Sequence, residues 1–155
     1  MRTPRFYLRW ALPALVTICT PLSSQPAERP KAEAMVKEGI AFLKAKGKDA
    51  FIAEVQQANG RFHVKPGSTL YLFVYDPKGI TLAFGMNPAA AGTNRWNIKD
   101  PDGKFIVQDI IHAAQKKGGG WIEYKWPNPT TGKVEEKTSF CMAEGDVIMG
   151  CGIYK

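Results

Sequence analysis

The chain has 155 residues, 45% hydrophobic and 23% charged, which allows one domain with its own core and excludes a disordered polymer or a membrane bundle. Its 21 Lys and Arg against 14 Asp and Glu give a formal charge of +7, but the lysines are scattered. A nucleic-acid footprint needs them clustered on one face, so no nucleic-acid partner is expected.

The first 24 residues stand apart. Arg2, Arg5 and Arg9 precede an apolar run from Trp10 to Leu22, and no acid occurs before Glu28. A positive segment followed by a short apolar one is the pattern of a secretory signal, and Pro13 and Pro21 make a permanent span less suitable. Cleavage is expected near Ser23 and Ser24, with an uncleaved anchor as the alternative. A lipid tether on Cys19 is a further alternative, although Ile18 precedes it where a small residue is required. The reading is 1–24 signal peptide, 25–30 linker, 31–155 folded domain, located in the periplasm or secreted. Removing the signal takes three arginines and no acids, so the charge falls to +4 (7 − 3).

Gln25–Pro30 is polar and proline-rich, hence the linker. Lys31–Lys46 reads as a helix with Met35, Ile40, Phe42 and Leu43 on its apolar stripe. Gly47 breaks it, and Asp49–Ala58 resumes helical spacing. Leu70–Tyr75 and Ile80–Phe84 read as strands joined by Asp76-Pro77-Lys78-Gly79. There Asp accepts hydrogen bonds at the first turn position, Pro presets the second and Gly suits the last. Gly85–Lys99 reads as a loop. Asp100-Pro101 is expected to cap and open a helix reaching Lys117, which Gly118-Gly119-Gly120 ends. Trp121–Trp126, Val134–Met142 and Val147–Tyr154 complete five strands. The order predicts an α+β fold, a five-stranded antiparallel sheet with helices on one face.

Export leaves Cys141 and Cys151 as an even pair in an oxidising compartment. If their hairpin turns about Gly145, Cys141 faces Met149 and sits diagonally from Cys151. Diagonal neighbours are roughly 7–8 Å apart, long for a disulfide, and a one-residue bulge would align them. The pair is a candidate disulfide, with the unbridged form left open.

Catalytic and metal motifs are missing from the sequence. There is no haem-attachment motif, zinc-protease motif, nucleophile elbow or phosphate loop, and the adjacent Glu135 and Glu136 point to opposite faces of their strand. Neither an enzyme nor a metal or cofactor is expected; a haem sensor would need His63 or His112 inside the pocket. What stands out is aromatic density. Tyr71, Phe73 and Tyr75 share one strand face, while Tyr124 and Trp126 share another with Ile122. Such aromatics commonly build sheet core. With Arg95 and Trp96 on a loop crossing near the sheet, and Lys137 on the next strand, they also suit a small anion, because apolar walls strengthen a charged hydrogen bond.

Tyr71-Leu-Phe-Val-Tyr-Asp-Pro-Lys-Gly, Asp100-Pro-Asp-Gly-Lys-Phe, Gly120-Trp-Ile-Glu-Tyr-Lys-Trp-Pro-Asn-Pro and Gly150-Cys-Gly-Ile-Tyr-Lys occur in this order. Through them, residues 31–155 resemble a single Cache domain of type 2, found in bacterial chemoreceptors and sensor kinases. The resemblance implies a PAS-like fold with a long N-terminal helix and flanking helices, an extracytoplasmic location and recognition of a small molecule, commonly a short carboxylate. It places Tyr124, Trp126 and Lys137 in the ligand site; Phe73, Tyr75, Arg95 and Trp96 join them from geometry. Lys137, with Arg95 as a second cation, is expected to pair a carboxylate between walls of Tyr124 and Trp126. With no segment after the strand ending near Lys155, the expectation is a stand-alone secreted sensory module for a small organic acid. The alternative is a non-binding scaffold docking on a membrane receptor, kinase or redox partner.

Overall fold

The computed structural model describes residues 25–155, with side chains from Glu28 onward. The expected signal segment, 1–24, lies outside the described residues. Three helices, α1 (Gln25–Lys46), α2 (Lys48–Gln56) and α3 (Ile106–Ala114), accompany five strands: β1 (Leu72–Tyr75), β2 (Thr81–Phe84), β3 (Gly120–Pro127), β4 (Val134–Glu144) and β5 (Val147–Tyr154). The strands form one antiparallel sheet in the order β2-β1-β5-β4-β3, the predicted α+β architecture.

Three expectations are corrected. Gln25–Pro30 is not a linker but the opening of α1. Pro30 removes one backbone donor near the helix start, while Glu28 pairs with Lys31 at 2.7 Å and the Arg29 guanidinium stands 4.6 Å from the Trp121 ring centre. That ring belongs to β3, a contact no local pattern encodes.

Helices also cover both faces of the sheet, not one. On the first face, Ala32, Val36, Ile40 and Leu43 of α1, with Phe51 and Val55 of α2, pack on Leu72, Val74, Met149 and Ile153. Burying each of the larger side chains stabilises by about 1.5–3 kcal/mol. On the second face, Ile106, Val107, Ile110 and Ile111 of α3 pack on Tyr71, Phe73, Tyr75 and Tyr124. The central strand β5 is buried along seven of its eight residues. Its unalternating run Val-Ile-Met-Gly-Cys-Gly-Ile is the pattern of a strand covered on both sides.

Finally, Asp100-Pro101 does not open a helix. Asp100 Oδ1 accepts from the amides of Asp102 and Lys104 (2.9 Å each), its own amide donates to Lys104 O, and α3 starts only at Ile106. The Asp76 turn repeats this bond for bond: Oδ1 accepts from Lys78 and Ile80, and the Asp76 amide donates to Ile80 O. Gly79 (φ 79°) and Gly103 (φ 84°) supply the left-handed residue in each turn. Asp-Pro-x-Gly is thus one structural word used twice.

Candidate functional site

The second sheet face carries an unusual group. Lys137 of β4 is 1% exposed, and its ammonium donates to the Tyr71 hydroxyl at 2.7 Å. Register places Tyr124 of β3 directly opposite it on one side and Tyr154 of β5 directly opposite on the other. Nζ lies 4.2 Å from the Tyr71 ring centre, 4.9 Å from that of Tyr154 and 5.7 Å from that of Phe73. Ring faces are electronegative and attract a cation. No salt bridge reaches this ammonium among the described residues, and burial holds its pKa down at about 7.

Of the neighbouring phenols, Tyr71 and Tyr124 are buried and Tyr154 is half-buried. Tyr124 Oη and Ser139 Oγ are 3.0 Å apart, and Tyr154 Oη donates to Pro127 O at 2.7 Å. Burial pushes the phenols of Tyr71 and Tyr124 well up, and that of Tyr154 to about 12. All three therefore remain protonated; the Tyr154 proton is committed to Pro127 O, which leaves Tyr71 and Tyr124 able to donate to an oxygen atom placed beside them.

Two concavities are lined by Tyr124, one together with Tyr71 and the other with Lys137. A cavity of about 10 Å³, the space of one water centre, is lined by Tyr71, Phe73, Tyr75, Phe84, Tyr124 and Trp126 beneath Ile98 and α3. A cleft of about 150 Å³ reaches Tyr124 and Lys137 from the surface, its rim formed by the Asp100 turn and Glu123, Lys125, Glu136 and Lys155. Lys125 pairs with Asp102 (2.9 Å), and Lys155 with Glu136 (3.2 Å) and Glu123 (3.6 Å), while Lys104 Nζ donates to the backbone oxygen of Glu123. Lys137 is the buried cation among the cleft's lining residues, and no salt bridge reaches it among the described residues.

The expected site residues divide into two groups. Phe73, Tyr75, Tyr124 and Trp126 line one cavity, with Lys137 beside Tyr71 and Phe73. Arg95 and Trp96 line neither concavity at Lys137. They form the wall of an open groove of about 870 Å³ with Pro77, Lys78, Asn94 and Asn97. Arg95 reaches inward only as far as the Phe84 ring (5.1 Å) and the surroundings of the Tyr75 phenol, whose pKa burial raises to about 12 against the pull of that guanidinium. This groove is larger than either concavity beside Lys137, but its open form and a lining without Lys137 make it the poorer receptacle for a small anion.

Sequence reasoning passed over Tyr71 and Tyr154 as site residues. Tyr71 shares a face with Phe73 and Tyr75 by alternation, a usable signal. Tyr154 required the β4–β5 register. Neither histidine lines the cavities: His112 is on the exposed side of α3, and the His63 ring is 2.9 Å from Val64 O.

The candidate disulfide is corrected as well. Both thiols are free; Cys141 pairs in register with Gly150, and Cys151 with Phe140. They therefore project from opposite faces, Cys141 among the aromatics and Cys151 toward Met35 of α1. The hairpin turns at Gly145–Asp146, so Met142 rather than Cys141 faces Met149. A one-residue shift of register moves every side chain to the other face.

A family model for the single Cache domain 2 matches residues 45–155. The chain is 33% identical over 110 residues to the sensor histidine kinase MctS of Rhizobium johnstonii, covering 70% of this chain and 24% of the kinase. It is 26% identical over 86 residues to the methyl-accepting chemotaxis protein McpP of Pseudomonas putida, covering 54% of this chain and 16% of that protein. The chain thus spans a quarter or less of these relatives' lengths. Among solved structures, a methyl-accepting chemotaxis protein from Vibrio parahaemolyticus superposes with a TM-score of 0.70 at 24% identity, covering 83% of this chain and 89% of that one. A Cache chemosensory domain, solved as the basis for carboxylic acid recognition, has a TM-score of 0.60 at 21% identity, covering 81% and 86%.

Proposed function

This chain belongs to the single Cache domain 2 family, and from that premise we propose that it is an extracytoplasmic sensory module that receives a small organic anion at Lys137. The observation that carries the reading is a buried cation with no anionic partner among the described residues. A buried charge is costly unless paired, and a carboxylate beside Nζ supplies the missing partner in a low-dielectric setting. The hydroxyls of Tyr71 and Tyr124 supply donors for its oxygens, and Phe73, Tyr75 and Trp126 suit a short apolar tail. The cleft at Lys137 rather than the open groove is the site, so Arg95 and Trp96 are assigned no ligand contact in this reading.

Lys137→Met tests it. Methionine keeps most of the stem volume without the charge, so the fold is retained and stabilised by about 1–3 kcal/mol, as when buried ionic groups yield to apolar ones. Calorimetric titration with a panel of short mono- and dicarboxylates is expected to show binding to the wild-type protein and none to the variant. No binding to either across the panel, or equal binding to both, overturns the reading.

One observation favours the alternative of a non-binding scaffold on a kinase or receptor partner: the aromatic cavity holds only about 10 Å³. Against it, the large hydrophobic side chains exposed among the described residues are only Phe105 and Val134, too few for a docking patch.

A further inference from the structure

The Lys137 amine has properties that pairing with a carboxylate does not use. It is buried, held by a single hydroxyl at 2.7 Å and by ring faces, and reached from the surface by a cleft of about 150 Å³. A lysine held in a salt bridge keeps its proton and its lone pair is blocked; this one has no such bridge among the described residues. We propose that Lys137 captures small carbonyl compounds, aldehydes and 2-oxo acids, as a reversible imine at Nζ. This rests on the reading that the cleft admits a small carboxylate, and it narrows that class to acids bearing an adjacent carbonyl.

The chemistry balances without an oxidant or reductant. The Nζ lone pair adds to the carbonyl carbon while the C=O π pair moves to oxygen. One N–H proton passes to that oxygen, giving a carbinolamine. The nitrogen lone pair then expels the hydroxyl, which leaves as water with the second N–H proton, and a C=N bond remains. The Tyr71 hydroxyl sits where it can hand a proton to the oxygen while accepting one from nitrogen. Protonation of the imine restores the cation that the substrate's carboxylate needs, so capture and anion pairing are compatible.

Burial supports the required form of the amine. With its pKa near 7, Lys137 is largely uncharged in mildly alkaline buffer, whereas an ordinary exposed lysine is almost wholly protonated. The titratable groups around it are Tyr71 ahead of β1, Tyr124 of β3, Tyr154 and Cys151 of β5 and Cys141 of β4, all pushed upward and therefore neutral there. The carboxylates at the rim, Asp100, Asp102, Glu123 and Glu136, make no salt bridge with Nζ; Asp102, Glu123 and Glu136 pair with Lys125 or Lys155, and Asp100 accepts backbone amides.

The test is reductive trapping. The purified protein is incubated with glyoxylate and cyanoborohydride at about pH 7.5, digested, and the peptides mapped for carboxymethyl-lysine, in parallel with thermal shifts by acetate. The expected result is label on Lys137 at least about tenfold faster than on exposed lysines such as Lys78 and Lys116. Label confined to exposed lysines overturns the proposal. If acetate shifts the melting temperature and Lys137 stays unlabelled, imine capture fails while anion binding stands. If neither occurs, both readings fall.

Discussion

Gly152 of β5 lies beneath the stem of Lys137 of β4: a Cβ at position 152 would stand 2.5 Å from Lys137 Cε and closer still to Ser139 Oγ. The missing side chain is what lets the lysine cross its neighbouring strand and reach Tyr71. The buried cation is therefore built by two strands jointly, one giving the amine and the other giving way.

Gly152→Ala is accordingly expected to destabilise the domain by about 1–3 kcal/mol, the range for overpacking a filled core. It should also displace the ammonium from Tyr71. Urea unfolding measures the first effect, and lost ligand binding under conditions where the variant is folded measures the second. A variant with unchanged stability and unchanged affinity would contradict this placement of the lysine.

Proton linkage gives a second prediction. The folded pKa of Lys137 is depressed, so between about pH 7 and the ordinary lysine value the unfolded chain holds a proton that the folded chain does not. Stability therefore rises with pH as this group loses its proton. The phenols of Tyr71 and Tyr124 and the thiols of Cys141 and Cys151 are raised, so their contribution is complete below the unfolded values and is lost at higher pH. The two slopes oppose each other, and maximal stability is expected near about pH 8–9, given unperturbed thiol and phenol values of about 8.5 and 10. Urea midpoints from pH 6 to 10 trace the curve; a monotonic fall from pH 6 would count against a depressed lysine. A carboxylate pairs only with the ammonium, so its binding at about pH 8 should take up a proton, read by calorimetry in buffers of different ionisation heat.

The Asp100 turn joins the loop after β2 to β3, since Asp100 Oδ2 also accepts from the Lys125 amide at 3.2 Å. Burial opposes its charge, but the amides of Lys104, Lys125 and Asp102 outweigh that and hold the carboxyl below its ordinary value. Asp100→Ala removes an acceptor from three amides and is expected to cost about 1–3 kcal/mol. In the wild type this contribution is present above the unfolded pKa and disappears as pH falls through the folded one. Acid unfolding of the two proteins should therefore converge at low pH.

Because Cys141 and Cys151 project from opposite faces, thiol titration of the unfolded, non-reduced protein should find both free, and reductant should leave the melting temperature unchanged. Protection of both thiols, with a mass lower by the two hydrogens of a disulfide, would contradict the register.

Much of the fold could be read directly. The aromatic alternation of Tyr71, Phe73 and Tyr75, the Asp76 turn and the order of helices and strands are local patterns, and local patterns survive into the structure. The second Asp-Pro-x-Gly was misread as a helix cap because Asp and Pro serve helix starts and tight turns equally well. What separates the two is whether Lys99 and Phe105 bridge across the turn and the Lys125 amide of β3 reaches Asp100, and the second of these is not a local property.

By itself the sequence determined the five strands, the face that carries the rings and the presence of Lys137 among them, because side-chain alternation and turn chemistry act over a few residues. Tertiary structure alone decided that Cys141 and Cys151 part company, that Tyr154 faces Lys137, that Gly152 clears its path and that Arg95 stays outside. Those outcomes depend on register and on contacts between segments far apart in the chain, where a shift of one residue exchanges core for opposite core.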